Sequence, residues 1–204
     1  RTRESISSVL AFSLVVAFIF NFAFDPSPRV LAAVGPGIVW VAYVFTGVLG
    51  MNRTFILERE QGTLDGLLLA PVGREAIYLG KLFGALSLLL LVEALMLPVL
   101  LVLYDLSLLN VWFVITTVVA TIGFAAVGTL FSAIAVHTRA REVMLPILFL
   151  PVALPVIIAA VSSTSEALNG GGWSEINRWL QLIIAFDLVF LMLSLWAFEA
   201  VLEE

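Results

Sequence analysis

The chain has 204 residues, of which 62% are hydrophobic and only 12% charged. A soluble domain carries about a quarter charged residues, so this composition excludes a soluble globular protein and points to a bilayer as the solvent. Cysteine is absent, which excludes disulfides and thiolate metal sites, and the net charge of −5 comes without any basic run that would suit nucleic acid.

In chain order the first apolar run is Ile6 to Phe24. It is too long for the core of a signal peptide and ends without a small-residue cleavage pattern, so it reads as a retained helix. The sequence opens on Arg1 rather than Met, and a short preceding piece is expected. "DPSPR", Asp25 to Arg29, reads as a tight turn stiffened by two prolines, and a second span follows from Val30 to Met51.

The next stretch, "FILEREQGTLDGLLLAP" from Phe55 to Pro71, is charged where its neighbours are hydrocarbon. Leu57, Leu64, Leu68 and, less regularly, Leu67 fall on one helical face. Glu58, Arg59, Glu60 and Gln61 precede that face. Thr63 can cap a short helix from Leu64, with Asp65 and Gly66 in its first turn, and Pro71 closes it. Two readings follow: an interfacial loop that merely joins two spans, or a docking helix hinged at Gly62 that passes force from a soluble partner into them.

Four more spans complete the count at six: Ile77 to Tyr104, Leu108 to Val136, Val143 to Ser162 and Leu180 to Leu202. Each reaches the roughly 20 residues that cross about 30 Å at 1.5 Å per residue. None alternates apolar and polar residues as a membrane barrel strand would. "YDLSLL" is a short connection, and "SSTSEALNGGGWSEINR" reads as one sizeable external segment made flexible by its glycine triplet. The expected fold class is all-α: a polytopic membrane protein of six transmembrane helices, one domain over residues 1–204, with a cytoplasmic helix between the second and third spans. Arg1, Arg3, Arg53, Arg59, Arg74, Lys81, Arg139 and Arg141 fall on one side, and only Arg29 and Arg178 on the other. The positive-inside rule then puts both termini and the charged stretch in the cytoplasm.

Glu93 and Asp187 interrupt the third and sixth spans, and no Lys or Arg lies at their depth. Intramembrane acids mark function or bond to polar groups in the bundle, and both readings stand. His137, the single histidine, sits at the cytoplasmic end of the fourth span beside Arg139 and Arg141, where an interfacial structural role is the favoured reading. Trp173 and Trp179 fit an aromatic belt. Pro98, Pro146, Pro151 and Pro155 either permit bending or fix kinks. The sequon Asn52-Arg53-Thr54 is on the cytoplasmic side and is discounted. "GREAIYLGKL" fails as a phosphate-binding loop, because its first glycine is misspaced and Leu82 stands where Ser or Thr is required.

The stretch "EREQGTLDGLLLAPVGREAIYLGKL" resembles the first cytoplasmic loop of ABC-2-type ABC transporter permeases. Glu58, Arg59, Glu60, Gly62, Thr63, Leu64, Asp65, Leu68, Pro71, Ile77, Gly80 and Lys81 stand at the matching places. The resemblance implies that this loop carries a coupling helix fitting a cleft on an ATPase subunit, within an ABC-2 (type V exporter-like) permease fold. "GPGIVWVAYVFTGVLGMNRTF" and "LPILFLPVALPVIIAA" are similar to the haem exporter protein B (CcmB) family, from about Leu10 to Leu202, with Ser163 to Asn177 unmatched. That resemblance implies a non-enzymatic permease subunit in a bacterial inner membrane, paired with a second copy of itself. Its implied partners are a CcmA-like ATPase that binds the ATP and CcmC-like and CcmD-like haem-handling membrane subunits. Haem is the implied ligand, either exported or released on its chaperone, and no cofactor is expected on this chain itself. The rivals are an ABC-2 exporter of lipid, polysaccharide or drug, and a structural membrane subunit that moves nothing.

Overall fold

The computed structural model describes residues 2–23, 28–60, 73–104, 109–136 and 141–201. Among these the chain forms six helices: α1 (Thr2–Ala23), α2 (Pro28–Glu60), α3 (Arg74–Tyr104), α4 (Val111–Val136), α5 (Arg141–Leu168) and α6 (Trp173–Val201). Five contain stretches long and apolar enough to cross a membrane: Ala33–Met51, Glu75–Tyr104, Val111–Ala135, Pro146–Leu168 and Trp173–Phe198. In α1 the apolar part is Leu10–Ala23. This is an all-α, polytopic membrane protein.

α4 is the axis of the bundle. Ala120, Ala125, Ala126, Val127 and Thr129 are all fully buried. Without a hydrophobic drive between helices in lipid, close backbone approach through small residues holds such a bundle together. Three glycine contacts show how close that approach is. A side chain at Gly47 of α2 would run into the Phe124 ring, one at Gly128 into Met51 of α2, and one at Gly123 into Asp187 of α6. α6 meets the bundle along Ile176, Leu180, Ile183, Asp187, Ser194 and Phe198, a stripe of helical period, while Leu188, Val189, Met192 and Trp196 are exposed on its other flank.

α1, α3 and α5 end, and α2, α4 and α6 begin, at one end of the bundle, here termed the turn end. The hydroxyl of Tyr104 donates to the Ala17 carbonyl there (2.5 Å), and the Asn110 side-chain amide donates to the Ala167 carbonyl (3.1 Å). Asn110 also caps α4, its Oδ1 accepting from the Trp112 N–H at 2.9 Å. At the opposite end, the insert end, Tyr78 packs on Phe198 with ring centroids 5.2 Å apart.

Two boundaries differ from the sequence expectation. The external segment expected from Ser163 to Asn177 is not a long loop: α5 continues to Leu168 and α6 begins at Trp173. The glycines do something more specific than loosen the chain. Gly170 has φ +78°, a left-handed conformation open to glycine at no cost. The Gly171 N–H bonds to the Glu166 carbonyl (2.8 Å) and the Gly170 N–H to Ala167 (3.4 Å), the paired bonds of a Schellman cap. Gly172 then starts α6, its N–H donating to the Glu175 carboxylate at 2.9 Å as in a capping box. The triplet is a rigid corner.

The second difference is at the insert end. α2 does not stop with its apolar run at Met51 but continues to Glu60. No glycine or proline intervenes before Gly62, and Arg, Leu and Glu are good helix formers. The 33-residue α2 is therefore a single rod of about 50 Å at 1.5 Å per residue. Prolines lie inside α2, α3 and α5 at Pro36, Pro98, Pro146, Pro151 and Pro155, and these helices remain unbroken.

Candidate functional site

The rod α2 joins the two parts of interest. At the insert end it carries Glu58, Arg59 and Glu60 on its last turn. Gly62, Thr63, Leu64, Asp65 and Leu68 lie outside the described residues, as does His137. Toward the turn end the same rod enters a buried polar network.

The network starts with Trp40, held four residues beyond the helix-internal Pro36. Its indole N–H donates to the Thr164 hydroxyl of α5 at 2.9 Å. One turn along, Tyr43 stands edge-on to Trp40, with centroids 5.9 Å apart, and its hydroxyl donates to the backbone carbonyl of Glu93 at 3.4 Å. The Thr121 hydroxyl of α4 lies 2.9 and 3.0 Å from the two Glu93 carboxyl oxygens and 2.7 Å from the Thr117 carbonyl. Beside it, the Thr116 and Ser163 hydroxyls are bonded at 2.7 Å, tying α4 to α5. α1 joins through Ser13, whose hydroxyl is bonded to that of Thr46.

All of these side chains are buried, Glu93 to 6% exposure. Glu93 therefore finds a hydroxyl partner where the sequence offered no cation. Interhelical bonds of this kind contribute about 0.6 kcal/mol each in a membrane bundle, up to about 1.7. Such a set fixes the register of α2, α3, α4 and α5 without welding them together.

Asp187, the other acid singled out in the sequence, is equally buried at 6% exposure. It contacts α4 at Gly123, two residues from Thr121 and thus about 200° around that helix. The two acids clasp α4 at one depth from opposite sides and do not share a site. The Oδ1 atom of Asp187 has no hydrogen-bond partner among the described residues.

At the turn end, Trp173 lies over Trp112 with centroids 5.5 Å apart, and the Arg178 guanidinium sits 4.9 Å from the Trp179 ring. Arg178 also pairs with Glu166 at 3.6 Å. Trp173 is 56% exposed, a position suited to an interfacial aromatic.

Sequence reasoning found Glu93 and Asp187 as exceptions but missed Trp40, Tyr43, Thr116, Thr121, Ser163 and Thr164. The available signal was the hydroxyl pairs Thr116-Thr117 and Ser163-Thr164 at one end of apolar runs. Ser163 and Thr164 stand in the polar run after the fifth apolar stretch and so read as loop from the sequence alone. In the fold they face inward.

A family model described as CcmB protein matches residues 1–204. The chain belongs to the CcmB family. Among curated relatives, it is 30% identical to heme exporter protein B of Rhodobacter capsulatus over 79% of this chain and 74% of that protein. It is 31% identical to heme exporter protein B of Haemophilus influenzae over 82% of this chain and 76% of that protein. Similarity to heme exporter protein B of Bradyrhizobium diazoefficiens is 27% and extends over 95% of this chain and 86% of that protein. In this CcmB-family chain the Pro-Gly-Ile-Val-Trp segment supplies Trp40 and the three-proline helix supplies Thr164. Trp40 of the first resembling segment is thus bonded to Thr164, four residues beyond the end of the second at Ala160.

Proposed function

We propose that this chain is the permease subunit of an ABC-2-type transporter complex in cytochrome c biogenesis, acting in haem export or in ATP-driven release of the haem-loaded chaperone. The observation that carries the proposal is the unbroken α2 rod. One end bears the charged Glu58–Arg59–Glu60 turn, and the middle of the rod is bonded through Trp40 and Tyr43 to α5 and α3. A push on the charged end reaches the polar network as a rigid-body movement rather than being absorbed in a loop. Glu58, Arg59, Glu60, Gly62, Thr63, Leu64, Asp65 and Leu68 form the contact with a CcmA-like ATPase subunit, which holds the ATP. CcmC-like and CcmD-like haem-handling subunits and a second copy of this chain complete the assembly in the bacterial inner membrane, with both termini cytoplasmic. Coupling requires that the ATPase contact the rod differently in its two nucleotide states.

The test is to introduce Glu60→Ala and Asp65→Lys separately and measure cytochrome c maturation alongside membrane insertion. Both variants are expected to insert normally and to mature cytochrome c poorly. Wild-type maturation in both would remove the coupling assignment.

A further inference from the structure

The contacts of Glu93 fix how many protons lie between α3 and α4. The Thr121 hydroxyl is 2.7 Å from the Thr117 carbonyl and 2.9 and 3.0 Å from the two Glu93 carboxyl oxygens. A hydroxyl has one proton to give, while a carbonyl and a carboxylate only accept. The bond to the carbonyl is the shortest of the three, and a threonine inside a helix often donates to the carbonyl four residues back. With that proton spent, an ionised Glu93 has no donor left. Thr121 is the only partner of its carboxyl among the described residues, and the Tyr43 hydroxyl donates to the Glu93 backbone carbonyl instead. Giving the proton to the carboxyl would still leave an anion with one donor at 6% exposure. A proton on Glu93 itself closes the count: the acid O–H donates to Thr121 Oγ1, and Thr121 donates to Thr117.

No charge nearby offsets an anion there. α1, α2, α4 and α6 pack against α3. Between Ser5 and Ala23 of α1, and throughout α4, no side chain titrates. α2 brings Tyr43, and Arg53 lies further along that helix by about 15 Å. α6 brings Asp187, a second acid, on the opposite side of α4. On α3 itself Lys81 is about 18 Å away. An unpaired buried carboxylate costs far more than a single hydrogen bond returns. We propose that Glu93 is a proton-binding site, its carboxyl held as the neutral acid at neutral pH and acting as the donor that joins α3 to α4 through Thr121. The ligand is one hydrogen ion per chain, kept about 17 Å from the Tyr104 end of α3. The site depends on neither the ATPase nor the substrate of the complex.

Infrared spectra of the purified chain in lipid nanodiscs at neutral pH distinguish the two forms, because the C=O stretch of a carboxylic acid lies apart from the carboxylate bands. Isotope labelling of glutamate at its side-chain carboxyl carbon shifts every glutamate band and no aspartate band. Exposed glutamates, with a pKa of about 4.3, are ionised under these conditions. The expected result is an acid band that shifts with the glutamate label, persists in Asp187→Asn and is lost in Glu93→Gln. The same band is expected to move in Thr121→Val, which removes the acceptor of the acid proton. A labelled spectrum with all its glutamate intensity in the carboxylate bands would overturn the proposal without requiring any variant to fold. An acid band that survives Glu93→Gln would overturn it as well, and one unmoved in Thr121→Val would overturn the donor role.

Discussion

The contact between Gly123 and Asp187 allows the packing of α4 on α6 to be tested without reference to function. A β-carbon placed on Gly123 would overlap Asp187 Oδ1, lie 3.0 Å from its Cγ and 3.2 Å from the Phe186 ring. The Asp187 side chain is short and buried, so it has no open direction in which to withdraw. Gly123→Ala must therefore separate the helices or drive the carboxyl from its rotamer, and overpacking of this kind costs about 1–3 kcal/mol. Asp187→Ala removes the obstructing atoms together with an oxygen that has no partner, so alone it is expected to be nearly neutral or mildly stabilising. The double variant Gly123→Ala/Asp187→Ala is then expected to lie close to Asp187→Ala alone, with a coupling energy equal to most of the cost of the single glycine change, the Phe186 ring at 3.2 Å accounting for the rest. Equilibrium unfolding in mixed micelles, followed by the fluorescence of the five tryptophans, measures all four corners of the cycle. Additive effects, or a Gly123→Ala protein as stable as the wild type, would refute this account of the interface.

Other predictions use the same reasoning. Gly170→Ala places a β-carbon at φ +78° and should cost about 1–2 kcal/mol, seen as a lower unfolding midpoint, because the residue closes a cap rather than a floppy loop. Thr164→Val leaves the Trp40 indole N–H buried without an acceptor and should cost about 1 kcal/mol in the same unfolding assay, with Trp40→Phe/Thr164→Val recovering part of the loss. Thr121→Val removes the hydroxyl that meets Glu93 and should cost up to about 1.7 kcal/mol. Thr54→Pro interrupts α2 between the bundle and its charged turn at about 3 kcal/mol of helix stability. It is expected to abolish cytochrome c maturation while leaving membrane insertion intact, as read by blotting of the membrane fraction.

Much of the fold was legible because hydrophobic length alone decides what crosses a bilayer. The bodies of α3 and α4 follow their apolar runs, Ile77 to Tyr104 and Leu108 to Val136, to within about one helical turn. The errors lie where polarity was taken to end a helix. Ser163 and Thr164 look like the start of a loop, yet their hydroxyls are bonded to Thr116 and Trp40 inside the bundle. A polar residue in a span signals a partner, but its identity depends on register between helices: Trp40 and Thr164 are 124 residues apart. The glycine triplet was ambiguous for a related reason. Glycine permits both disorder and the left-handed cap, and the deciding marks were Asn169 before it and Glu175 three residues after Gly172. Glu93 and Asp187 stood out by charge. That one meets a hydroxyl and the other a glycine on opposite sides of α4 is a property of the assembled bundle.

The most direct test of the central claim, that α2 is a lever driven by a nucleotide-hydrolysing neighbour, is to purify the tagged chain in mild detergent. The co-purifying proteins would then be identified and their ATP turnover assayed. The account predicts an ABC ATPase subunit bound at the charged end, with turnover that falls when Asp65→Lys is introduced. Purification of the chain without any such subunit, or of one whose turnover is indifferent to Asp65→Lys, would contradict it.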